Sequence, residues 1–148
     1  MENKLNTGRI ILGGIIGGIG MLIVGFLIHG LLLMDNYMFF ATQGSVLSEP
    51  RELGWIHYPI IVLLGIPIAM LYAMCRKQMG AGPKTALIVG FLVGIMGLGG
   101  AVPMYVYFNV GGMIPLATAV GVLLEGIVCA LIAGALYKDK QSAAVLSG

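Results

Sequence analysis

An all-α membrane protein, a bundle of four transmembrane helices with both termini cytoplasmic, is the fold class that three observations on this sequence predict. Apolar residues make up 59% of the 148 positions and charged residues only 9%, with a mean hydropathy of +1.01; a soluble domain carries about a quarter charged residues. The apolar residues gather in four runs, each near the roughly 20 helical residues that span a hydrocarbon core. All but one of the cationic side chains fall on the same side of those runs.

The first run extends from Ile10 to about Met34 behind Lys4 and Arg9. A secretory signal begins in the same way, but its apolar stretch is shorter and ends in a small-x-small cleavage site. Neither feature fits, so an uncleaved first helix is expected. A connection of about twenty residues, Asp35 to Trp55, leads to the second span, 56–74; Phe39, Phe40 and Val46 within it suggest a short segment lying along the interface. A basic connection, Cys75 to Thr85, leads to the third span, 86–108. The turn Asn109-Val110-Gly111-Gly112 then opens the fourth, 113–137. Residues 1–148 thus form a single four-helix domain.

An even number of crossings puts both termini on one side, and cationic loops are retained in the cytoplasm during insertion. Lys4, Arg9, Arg76, Lys77, Lys84, Lys138 and Lys140 share a side, whereas Arg51 lies opposite with Asp35, Glu49 and Glu52. Tyr37, Trp55, Tyr58, Tyr105, Tyr107 and Phe108 gather at the outer headgroup level, which suits rings with a polar end. The expected location is the inner (cytoplasmic) membrane, with the lipid bilayer as partner. The net charge of +2 gives no basis for a nucleic-acid partner. Cys75 and Cys129 fall in or near the cytoplasmic half, where a disulfide is not expected.

Glycine occurs 24 times and recurs at helical spacing inside the spans. Lipid provides little hydrophobic drive for helices to associate, so close backbone approach over small residues does much of that work. Gly14, Gly18 and Gly25 form a stripe on the first helix, with Gly13 and Gly17 beside it. The second helix offers Gly65 and Ala69, the third Gly90, Gly94, Gly97 and Ala101, and the fourth Thr118 and Gly121. The sextet Leu22 to Leu27 recurs as Leu87 to Leu92, but the copies lie at different depths of parallel helices, unlike an inverted transporter repeat.

Extending the stripes by three- and four-residue steps reaches His29, His57, Tyr72, Tyr105, Glu125 and Cys129, which places the polar residues on the inward faces. Glu125 lies about twelve residues into its span, near mid-bilayer, whereas His29 and His57 lie near the outer ends of theirs. At 1.5 Å per residue Glu125 should sit roughly 10 Å deeper than His29. One site shared by all three needs a distorted helix, for which Pro67 and Pro103 are the sequence's sources.

Burying a carboxylate at mid-membrane costs roughly 2.5–3.5 kcal/mol, so Glu125 is the leading site candidate. It is either a proton, cation or polar-ligand site, or a protonated acid bonded to a neighbouring helix. His29 and His57 suit a transition metal or haem, since imidazole ligates both; otherwise no cofactor is expected. The ten methionines show no clustered spacing and suit packing. No catalytic residue set is present, and the glycines from Gly13 to Gly20 belong to a span and not to a phosphate loop.

Gly54-Trp55-Ile56-His57 at the start of the second helix, the glycine-rich third helix with Pro103-Met104, and the stretch from Gly126 to Tyr137 together resemble a family of small, uncharacterised bacterial four-helix membrane proteins. The resemblance covers about Gly54 to Tyr137 and implies the architecture, with no established activity. Similar members often carry a histidine in the fourth helix where Glu125 stands here.

The sequence leaves three roles open. The first is an accessory or homo-oligomeric membrane protein, in a larger complex, acting through helix packing without its own chemistry. The second is a proton- or cation-coupled small transporter or channel using Glu125. The third is a haem- or metal-binding redox protein using His29 and His57.

Overall fold

A computed structural model describes residues 5–45 and 52–139. Lys4, Val46, Glu49, Arg51 and Lys140, on which part of the charge and interface reasoning rests, lie outside the described residues. Four helices are long and apolar enough to cross a membrane: Thr7–Leu32, Gly54–Met79, Pro83–Tyr107 and Met113–Leu136. The chain is a multi-pass membrane protein of four helices, as composition and hydropathy imply.

Helix α1 (Thr7–Gly25) starts where the Asn6 side chain accepts a hydrogen bond from the Arg9 amide at 3.3 Å, a standard N-cap. It does not run to the end of its span as an α-helix. Residues Phe26–Leu32 continue it as a π-helix, which closes at Leu33. The short α2 (Met34–Thr42) follows in the connection to the second span. After a 3-10 turn at Gly54–Ile56, α3 (His57–Met79) runs through Pro67 unbroken, then α4 (Pro83–Tyr107) through Pro103, and α5 (Met113–Leu136) completes the bundle.

The second span is longer than hydropathy predicts. Cys75, Arg76, Lys77 and Gln78 remain helical up to Gly80, whose φ of 85° ends the helix. Hydropathy marks where a helix leaves hydrocarbon, not where its hydrogen bonding stops, and basic side chains suit the negative end of the helix dipole. The basic connection therefore shortens to Gly80, Ala81 and Gly82, and Pro83 opens α4 at a position where its missing amide costs nothing.

Helix α1 sits between α3 and α5, and α4 packs mainly on α5. Glycine sets both contacts. Gly14 and Gly18 meet the α3 backbone at Ile66 and Val62, with Gly65 in return against Gly14 and Gly18. Gly13, Gly17 and Gly20 instead face Ala133, Cys129 and Ile132 of α5. The expected stripe of Gly14, Gly18 and Gly25 is thus divided: the first two serve α3, and Gly25 faces Glu125. On α4, Gly90 and Gly94 lie against Ile127 and Leu123, and Gly97 lies against Val122.

The main core occupies the half of the bundle nearer the termini, around Ile68, Ala69, Tyr72, Ala86, Val89 and Ala133. A smaller cluster at the other end joins Leu33, Val110 and Ile114 beneath α2. The chain ends are tied together near the main core. The Asn6 amide donates to the Tyr137 hydroxyl at 3.2 Å and its side-chain amide to the Lys138 carbonyl at 3.0 Å. Arg76 pairs with Asp139 at 2.9 Å, donates to the Tyr137 carbonyl and lies 4.9 Å over the Tyr137 ring. Both described chain ends therefore lie at the same end of the bundle.

Candidate functional site

The π-helical segment matters because each of its turns holds more residues than an α turn, so it reorients the side chains it carries, and such segments recur at functional sites. Here it carries His29. The His29 Nδ1 and the Tyr37 hydroxyl of α2 are hydrogen-bonded at 2.9 Å, which ties the π segment to α2. Burial pushes the Tyr37 phenol above its ordinary pKa, with a smaller opposing pull from the Thr118 hydroxyl beside it, so the phenol stays protonated at neutral pH. On its other side His29 Nε2 stands in ordinary contact range of Gly121, where a side chain would press on Ile28.

Between the π segment, the start of α3 and the middle of α5 lies a cavity of about 800 Å3. His29, Tyr37, His57, Tyr58 and Glu125 all line it, with Leu22, Phe26, Ile61 and Val122 as apolar walls. The structure thus brings both histidines and the glutamate to one cavity. The distortion that accompanies this is the π segment, not Pro67 or Pro103. The depth difference is smaller than expected: Glu125 lies against Gly25, about one turn or roughly 6 Å before His29, and the cavity reaches both.

Glu125 stands about halfway along α5 and is half-buried. Among the described residues its carboxylate has neither a hydrogen-bond nor an ion-pair partner. A side chain at Gly25 would come within 3.0 Å of its Oε1, so glycine there gives the carboxylate its room. His57 is exposed at the N-terminal end of α3, with its ring edge-on to Tyr58 at 5.8 Å. Among the described residues, no three of histidine, cysteine, aspartate and glutamate come together to hold a metal ion.

Two of the polar residues on the small-residue stripes lie outside the cavity. Cys129, one turn beyond Glu125 on the same face, is sealed in the core against Gly17, and its thiol points to the Gly65 carbonyl at 4.0 Å. Tyr105 is 67% exposed on the flank of α4 and α5. Angular drift does not account for this, since Tyr105 stands only about 20° round a 3.6-residue helix from Gly94; it lies in the last turn of α4. Tyr37 was legible only as an interfacial aromatic; its place eight residues after His29, across a helix break, has no periodic signature. No protein-family model, curated protein or solved structure matches the chain.

Proposed function

We propose that this chain is a proton- or cation-coupled small transporter of the inner membrane, with both termini cytoplasmic and Glu125 as the ion-binding carboxylate. One observation carries the proposal: a carboxylate halfway along a membrane helix faces a cavity that His29, Tyr37, His57 and Tyr58 also line, and has no hydrogen-bond or ion-pair partner among the described residues. A carboxylate kept only for helix association would be bonded to a neighbouring helix, since an unpaired one in hydrocarbon is costly.

The glycine faces that suggested an accessory or oligomeric role are occupied within one chain, from Gly14 against α3 to Gly97 against α5. They need no second protein to explain them. The cavity lining runs from Glu125 to Tyr37, His57 and Tyr58 at the end where α2 lies, while Ile68, Ala69, Tyr72, Cys129 and Ala130 fill the other half of the bundle.

Reconstitution into proteoliposomes tests the proposal. With an imposed proton or alkali-cation gradient and an internal fluorescent reporter, the wild-type protein should carry flux that Glu125→Gln lowers at least about tenfold, because the amide matches the carboxyl in size but cannot carry the charge. Flux that the substitution leaves unchanged would remove Glu125 from the pathway.

A further inference from the structure

We propose that the cavity at Glu125 takes a lipophilic organic monocation, such as a protonated or quaternary amine, a substrate class that rests on reading Glu125 as the cation-binding carboxylate. Four features of the cavity lead there.

The first is size. About 800 Å3 falls within the range of small-molecule sites, roughly 300–1,000 Å3, and greatly exceeds a dehydrated metal ion. The second is the donor set. A hard metal ion collects six or more oxygen ligands at short range, whereas the lining offers one carboxylate and scattered single donors, and no metal-holding group of three occurs among the described residues.

Charge is the third feature. Among the described residues, Glu125 is the only acid lining the cavity, and no lysine or arginine lines it. A single positive charge on the occupant therefore balances the ionised site, and in surroundings this apolar an unbalanced charge is strongly disfavoured. The fourth is the character of the walls. Leu22, Ile61 and Val122 suit an apolar body, while the rings of Phe26, Tyr37 and Tyr58 offer faces that attract a weakly hydrated cation.

Proton and organic cation should compete for the same carboxylate. Among the described residues, the other titratable groups lining the cavity are His29, Tyr37, His57 and Tyr58, from the first helix, α2 and α3, and α4 contributes none. Charging either histidine also repels a cation. Affinity should therefore fall as pH is lowered, whichever of these groups takes the proton.

The test is binding of tetraphenylphosphonium to the full-length protein in lipid nanodiscs, measured by equilibrium dialysis. Saturable binding is expected, weakened about tenfold or more by Glu125→Gln, retained within a few-fold by Glu125→Asp, and weakened about two- to fivefold by Phe26→Ala or Tyr58→Ala. Gly25→Leu, which fills the space beside Oε1 while leaving the charge in place, should also abolish it. Triphenylphosphine oxide, neutral and similar in shape, should not compete.

Absence of saturable binding, equal affinity in wild type and Glu125→Gln, or competition by the neutral analogue would each overturn the inference. The two proposals fail separately. Proton or alkali-cation flux that depends on Glu125 without phosphonium binding refutes the organic cation and leaves the transporter. Phosphonium binding without any flux keeps the organic cation and refutes transport.

Discussion

Gly65 and Gly100 are the same residue in opposite situations. A methyl group on Gly65 would run into the Gly14 carbonyl and the Gly18 amide, both rigid backbone, whereas at Gly100 it would meet nothing within 4 Å. Gly65→Ala should therefore destabilise the bundle by about 1–3 kcal/mol through overpacking. Gly100→Ala should be neutral or stabilise by up to about 1 kcal/mol through restored helix propensity. Unfolding midpoints in mixed micelles would check the pair, and equal effects would mean that the α1 and α3 backbones are not in close contact. Spacing alone does not separate two such glycines, because the sequence reveals the period of a stripe and not which helix lies opposite. The same limit explains Glu125 and Cys129. They share a face at four-residue spacing, yet one lines a cavity and the other is sealed in the core.

At the level of elements, the four spans were legible to within a few residues, because twenty-odd apolar residues have few alternatives in a bilayer. The π segment was not legible. Phe26–Leu32 contains no proline, and its one glycine, Gly30, is packed under the Phe26 ring. A π turn is stable only when surrounding contacts favour it, here the His29 bond to Tyr37 and the docking of Leu33 against Val110 and Ile114. Deleting Gly30 should let the segment revert to an α-helix, because a π turn accommodates one extra residue, and should turn His29 relative to the start of α2. Helix content by circular dichroism should remain near the wild-type value, while His29 and Tyr37 lose their alignment and any Glu125-dependent flux falls at least about tenfold. A deletion variant that keeps full flux would show the π turn to be incidental to the cavity.

For the whole molecule, the decisive question is which way the cavity faces. The ties among Asn6, Arg76, Tyr137, Lys138 and Asp139 hold both described chain ends and the α3–α4 turn at one end of the bundle, and the cavity lies toward the other, where Tyr37, His57 and Tyr58 line it. The basic residues at the tied end, among them Arg9, Lys77, Lys84 and Lys138, argue for its retention in the cytoplasm. The exposed rings of Trp55, Tyr107 and Phe108 argue for an outer headgroup belt at the opposite end. In that orientation the cavity loads from outside. Cysteine labelling tests it directly, since Cys129 is fully buried and Cys75→Ser removes the other free thiol. A membrane-impermeant maleimide applied to intact spheroplasts should then label Gln43→Cys, exposed just after α2, and spare Gln78→Cys, exposed at the end of α3. Inverted vesicles should give the reverse. If Gln78→Cys is labelled in spheroplasts instead, the bundle is inverted, Glu125 is reached from the cytoplasm, and a cation would load for export where the proposed orientation has it load for uptake.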